Sequence, residues 1–236
     1  YNPIIKGLNI EGNTQAGKNV YLTPGFGMLN RTMDATSMSS VVNSINNMDT
    51  SKRFVPKYNM YAFTLYNTLT AGDFSWYVEG AYKTQEAIAN PLDPTKANVL
   101  ENLSGNIIYS TLSYARKGIA VTLTGKRSEH FVMRTSPNEI LNFGMLNWQP
   151  IVAQIRPQRL IARYTPPSLD YSELAGSGNV MIAPNDKIDI DLTYTHINTL
   201  AGLKLYREVY GEANFRNLGD KVLLDIGAQY LEYNQE

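Results

Sequence analysis

The sequence predicts an all-β chain, an antiparallel transmembrane β-barrel or part of one. Three observations carry this. Long segments alternate apolar and polar side chains with period two, so each has one greasy and one polar face. Many of these segments run about 10–14 residues, longer than the roughly 5–6 of globular strands and enough for a tilted strand to cross a bilayer. Tight turn sequences also alternate with longer connections, as in bacterial barrels.

Taken in chain order, residues 4–10 and 18–23 are short strand candidates. Gly25-Phe26-Gly27 reads as a turn or strand end. Residues 31–47 are rich in Ser, Thr, Asn and Met and place Val41, Val42 and Ile45 at helix-like spacing, which predicts a short helix or an irregular loop. Residues 58–69 form a strand. After the turn Ala71-Gly72-Asp73, residues 73–84 set Phe74, Trp76, Val78, Gly80 and Tyr82 against Asp73, Ser75, Glu79 and Lys83. Tyr77 falls on the polar side of that segment. Residues 104–115 form another strand. Past Arg116-Lys117-Gly118, residues 118–126 oppose Ile119, Val121 and Leu123 to Ala120, Thr122, Thr124 and Lys126.

Residues 159–165 and 178–183 are weaker candidates, and Gly176-Ser177-Gly178 reads as turn glycines rather than a phosphate loop, since no helix with Lys-Ser or Lys-Thr follows. Residues 186–197 give the clearest alternation, with Ile188, Ile190, Leu192 and Tyr194 against Lys187, Asp189 and Asp191. Residues 203–215 place Leu203, Leu205, Val209, Ala213 and Phe215 opposite Lys204, Glu208 and Glu212, with Arg207 interrupting the apolar side. Residues 221–232 oppose Val222, Leu224, Ile226, Ala228 and Tyr230 to Lys221, Asp225 and Gln229. The total is about eleven strands in one barrel domain over residues 1–236, with connections near 86–103 and 135–150.

Composition narrows the function classes. Lys plus Arg equals Asp plus Glu at 21 each, so no basic excess points to nucleic acid. Cysteine is absent and there are two histidines, His130 and His196, which excludes disulfides and leaves no metal or cofactor site to nominate. The mean hydropathy is −0.27, with no run of about 18 apolar residues for a membrane helix. Tyr1-Asn2-Pro3 lacks the basic start of a signal peptide, and the expectation is a chain trimmed at its ends. The 16 tyrosines suit a membrane–water interface, where Trp76, Trp148, Tyr61, Tyr82, Tyr194 and Tyr230 are candidates.

Geometry favours a membrane over a soluble fold. Side chains just fill a barrel of about eight strands. With about eleven, apolar faces turned inward would line a void that packing does not tolerate. The reverse orientation places Glu79, Lys83, Lys126, Lys187, Asp189, Asp191, Lys204, Glu208, Glu212 and Asp225 around a wet lumen. Phe74, Trp76, Val78, Ile119, Val121, Leu123, Ile188, Ile190, Leu192, Val222, Leu224 and Ile226 then face lipid. A basic cluster of Arg156, Arg159 and Arg163 is either a solvated group or an anion-selective patch.

Residues 104–235 resemble a family of uncharacterised outer-membrane barrels from Bacteroidota. The likeness rests on Gly125-Lys126-Arg127-Ser128-Glu129-His130-Phe131, Leu146-Asn147-Trp148-Gln149-Pro150, Arg156-Pro157-Gln158-Arg159 and Ala162-Arg163-Tyr164-Thr165-Pro166. Ser172-Glu173 stands where the family carries Gly-Glu. The resemblance implies barrel architecture, an outer-membrane location and no assigned activity. The expected function is therefore non-enzymatic: an accessory or scaffold subunit of an envelope complex, contacting outer-membrane lipid, lipopolysaccharide and other envelope proteins, but no nucleic acid. Two alternatives stand beside it. One is a porin-like channel for small solutes, and the other is a barrel lipid hydrolase using His196.

Overall fold

The computed structural model describes residues 3–89, 99–137, 144–147, 149–154, 172–218 and 222–234. It is an all-β, antiparallel sheet, open at both edges, of the kind that makes a partial barrel. Strands β1 (Ile4–Glu11) and β2 (Thr14–Gly17) both pair with β3 (Val20–Thr32). The sheet then continues in chain order. Its strands are β4 (Asn59–Ala71), β5 (Phe74–Ala89), β6 (Leu100–Arg116), β7 (Ile119–Glu129), β8 (Glu173–Asn185), β9 (Ile188–Thr199), β10 (Lys204–Leu218) and β11 (Val222–Tyr233).

Among the described residues, two-residue turns close four hairpins at one end of the sheet, one of them at Lys18-Asn19 between β2 and β3. Gly72 and Gly118 stand in two others at φ +59° and +84°, a left-handed conformation that costs glycine little. Asp186-Lys187 makes the fourth. The longer connections, 33–58, 90–99 and 130–172, lie at the other end.

The cross-strand registers show what the two faces carry. On one face, adjacent strands bring Thr23, Thr68, Tyr77, Thr111, Thr124, Ser177 and Thr195 to a single level. The next level towards the turns holds Tyr21, Thr70, Ser75, Ser113, Thr122, Asn179, Thr193, Tyr210 and Gln229. Neighbours in these rows hydrogen-bond to one another. Ser177 and Thr195 hydroxyls lie 2.9 Å apart, and the Asn179 amide donates to Thr193 at 2.8 Å. The opposite face carries Leu22, Leu69, Trp76, Leu112, Leu123, Gly178, Tyr194, Val209 and Tyr230 in one row. It is uncovered: Leu65 is 67% exposed, Ile108 55% and Leu123 52%.

Three differences from the sequence reading have physical causes. The Gly25-Phe26-Gly27 and Gly176-Ser177-Gly178 stretches lie inside β3 and β8, not at turns. Gly25 is needed there because Tyr66 of β4 lies across it, and a Cβ would sit 2.0 Å from the ring. Residues 31–47 split: β3 runs on to Thr32, and only Ala35–Asn46 form a helix, α1. The Asp34 carboxylate caps it, accepting from the Ser37 amide at 2.8 Å. Met38, Val41 and Ile45 of α1 pack on Met33, Ala87 and Leu100. Lys204, grouped by parity with Glu208, lies on the apolar face instead. A register shift between Lys204 and Tyr206 turns it to the side of Asn198, where it meets Glu232 at 2.7 Å. The candidate strand 159–165 falls outside the described residues.

Gly105 marks a close approach of two chain segments. A Cβ there would stand 2.3 Å from the His130 carbonyl oxygen. His130 itself is held at φ +47°, so its backbone has little room to yield. Gly105→Ala is expected to destabilise the fold by about 1–3 kcal/mol. Urea unfolding of the detergent-solubilised protein, read as a lowered midpoint at unchanged slope, checks this.

Candidate functional site on the polar face

The polar face is partly covered by the connection between β7 and β8. Phe131 and Met133 pack on Met60, Ala62 and Ile107 of the sheet, with Leu29, Ala81 and Leu146 around them. Further along, Val152 and Ala153 pack on Ala175, Ile197, Leu205 and Tyr206. This explains why Leu205 is buried, although parity grouped it with the exposed apolar residues: the same register shift turns it to the polar side.

Two buried lysines tie this connection down. The Lys83 ammonium donates to the Val132 carbonyl at 2.6 Å and pairs with Glu86 at 2.7 Å. Glu86 also receives the Arg31 guanidinium, so the strands β3 and β5 share one buried ionic group. The Lys126 ammonium donates to the Pro150 carbonyl at 3.0 Å and pairs with Glu173. Burying such charges costs several kcal/mol each unless paired and hydrogen-bonded, and both lysines are paired and hydrogen-bonded. Amide groups complete the attachment. Gln149 donates to the Phe131 carbonyl at 2.9 Å, and Asn147 Oδ1 accepts the Met133 amide at 2.8 Å. Ser172 holds the two ends together by accepting the His130 amide at 2.9 Å.

Beneath the connection is a cavity of about 600 Å³. Its apolar wall includes Leu29, Ala81, Ile107 and Phe131, and among the described residues Glu79 is the one ionisable acid or base on its lining apart from tyrosine. The Glu79 carboxylate accepts the Thr64 hydroxyl at 2.7 Å and the Tyr77 hydroxyl at 2.6 Å. Among the described residues no Lys or Arg pairs with it.

The other charged candidates gather towards the turn end of β9, β10 and β11. Asp191 and Glu212 face each other across the strands, as do Asp189, Asn214 and Asp225. Arg216 pairs with Asp189 at 2.5 Å, and Asn179 donates to Asp191 at 2.6 Å. Glu208, fully buried, takes Tyr206 and Gln229 at 2.9 and 2.5 Å. Lys187 sits in a turn, its backbone amide bonded to Asn185. No group of three or more metal-ligating side chains occurs among the described residues.

The apolar candidates share the opposite face. Registers align Phe74 with Tyr114, Val121, Val180 and Leu192; Ile119 with Ile182, Ile190, Ala213 and Ile226; and Ile188 with Phe215 and Leu224. Val78 lies opposite Ser110, and Val222 pairs with Leu218 past a register shift. The Trp76 indole donates to Ser110 at 2.9 Å, satisfying its polar handle on an otherwise apolar surface. His196 is also on this face, opposite Gly176 and Arg207. Trp148, Arg156, Arg159 and Arg163 lie outside the described residues.

Sequence reasoning missed Arg31, Glu86 and Glu173. Arg31 is the penultimate residue of β3, where a short helix or irregular loop was expected. Glu86 joins Lys83 on one face because the register shifts between them, and simple alternation assigns positions 83 and 86 to opposite faces. Glu173 was legible only as the acidic residue of Ser172-Glu173.

A family model described as a family of unknown function (DUF6029) matches residues 2–229. No curated protein matches. Among solved structures, the crystal structure of the P. putida toluene transporter TodX is similar at 9% identity and a TM-score of 0.32, covering 95% of this chain and 62% of the transporter. The chain thus spans less than two thirds of that protein, and a similarity at this level carries no functional argument.

Removing either partner of the Lys126–Glu173 pair strands the other charge inside. Lys126→Met or Glu173→Gln alone is expected to cost about 3–5 kcal/mol, and the double variant less than the sum of the two. A double-mutant cycle in urea measures this coupling.

Proposed function

The chain belongs to the family of unknown function DUF6029, and on that premise we propose that it is a non-enzymatic outer-membrane β-barrel of Bacteroidota-like origin, non-conducting, acting as an accessory subunit of an envelope assembly. The observation that carries this reading is the covered polar face. Lys83 and Lys126 bind backbone carbonyls of the β7–β8 connection, rather than standing free around an open passage.

The membrane part of the reading rests on the uncovered apolar face and its dimensions. On β4, outward positions run from Tyr61 to Ala71, which at about 3.3 Å per residue is roughly 33 Å along a strand. Tilted by about 40°, this spans the ~25 Å apolar band of outer-membrane barrels. Aromatic rings stand near both limits. Tyr61 and Phe63 stack at one end, and Phe74 meets Tyr114 at 4.7 Å near the turns. Charged outward residues sit at strand ends: Arg127, Arg207, Lys204 and Glu232 away from the turns, and Arg116 beside one.

Lipid does not satisfy open strand edges, so both must be paired in a bilayer. β1 runs towards the turns and β11 away from them, so the two edges are antiparallel to each other. Counting β1 and β2 as one, the sheet has ten strand positions, an even number. Direct closure of β1 on β11 and insertion of an even number of further strands both complete a barrel.

The porin-like reading needs the connection to leave the polar face. The hydrolase reading needs a nucleophile beside His196, whose direct cross-strand neighbours are Gly176 and Arg207. In planar bilayers the full-length protein is expected to be electrically silent and to co-purify with other envelope proteins. A steady ohmic conductance from the intact protein would reject the accessory reading in favour of the channel.

A further inference from the structure

The cavity under the β7–β8 connection is lined by one carboxylate, Glu79, and by no Lys or Arg among the described residues. Every buried carboxylate discussed above either meets a cation or lies away from the cavity, whereas half-buried Glu79 lines it with no basic partner among the described residues. An ionised carboxylate has about four acceptor positions, and Thr64 and Tyr77 occupy two. The remaining capacity and the full negative charge are available to a ligand. The rest of the wall is mostly aromatic and aliphatic, with Asn9, Thr64, Asn147 and Gln149 as its polar side chains. Tyr109 lines the cavity, its ring 6.1 Å from that of Tyr77, and Ile107, Ala81 and Phe131 continue the surface. A carboxylate beside π-faces is the environment that holds an organic ammonium group, by charge and by cation–π attraction. The volume of about 600 Å³ is that of a small-molecule site.

We propose that this cavity binds a small organic monocation, an ammonium group carried on an apolar body, with Glu79 holding the ammonium and the Ile107–Phe131 wall holding the body. A neutral ligand of the same shape leaves the carboxylate unpaired and binds more weakly. The inference stands on the cavity alone and does not require the accessory role proposed above.

The test compares 2-phenylethylammonium with neutral 2-phenylethanol at pH 7, by calorimetric titration of the full-length protein in phosphatidylcholine nanodiscs, corrected against empty nanodiscs. The ammonium is expected to bind at least tenfold more tightly than the alcohol. Glu79→Gln keeps the shape and the Thr64 contact and is expected to erase that preference. Ala81→Phe is expected to weaken both probes by filling the cavity. Binding of neither probe, equal binding of both by the native protein, or a preference that survives in Glu79→Gln would each overturn the proposal. If Glu79→Gln does not fold, the native preference and the weakened binding of both probes in Ala81→Phe decide the matter.

Discussion

Hydroxyl groups set at one level across seven neighbouring strands need water or one another, and no apolar core supplies either. That constraint orders the rest of the structure. If the Thr and Ser rows face a wet interior, the Leu, Val and aromatic rows on the other side face outward, and they are uncovered. A soluble sandwich of this size would bury those side chains, at roughly 1.5–3 kcal/mol for each large one. Leaving so many exposed on one continuous face is tolerable only where the surroundings are themselves apolar.

The polar side of the sheet is not bare at the end away from the turns. There the strands lengthen, and the helix α1 and the β7–β8 connection fold in against them. Apolar packing at Met60, Ile107 and Phe131 supplies local burial, and buried ion pairs fix position. The two contributions differ in kind. Hydrophobic contact is non-directional, whereas Lys83 on the Val132 carbonyl and Lys126 on the Pro150 carbonyl each accept one backbone placement. Residues that look like charges around a channel are, in this arrangement, fasteners for the segment that covers it.

Much of the sheet was legible because period two is local. The assignments of Phe74, Trp76, Ile190 and Leu192 to one face, and of Glu79, Asp189 and Glu208 to the other, need only strand geometry and match the registers. What was not legible depends on events outside a short window. The extent of β3 was hidden by Gly25 and Gly27, which read as a turn or strand end until Tyr66 from another strand explains the gap at Gly25. Lys204 and Glu86 changed face through register shifts, which alternation cannot foresee. The cavity depends on contacts between residues far apart in the chain, as in Lys83 with Val132, and no local pattern encodes them. The helix at Ala35–Asn46 was half visible, through the spacing of Val41, Val42 and Ile45.

The central claim is that the apolar face meets acyl chains. Trp76 reports on it directly, because its ring lies on that face amid Leu69 and Leu112. In a Trp148→Phe variant reconstituted into phosphatidylcholine vesicles, the fluorescence of Trp76 should be strongly quenched by lipid brominated on its acyl chains and little affected by aqueous iodide. Quenching by iodide with no response to brominated lipid would contradict the account.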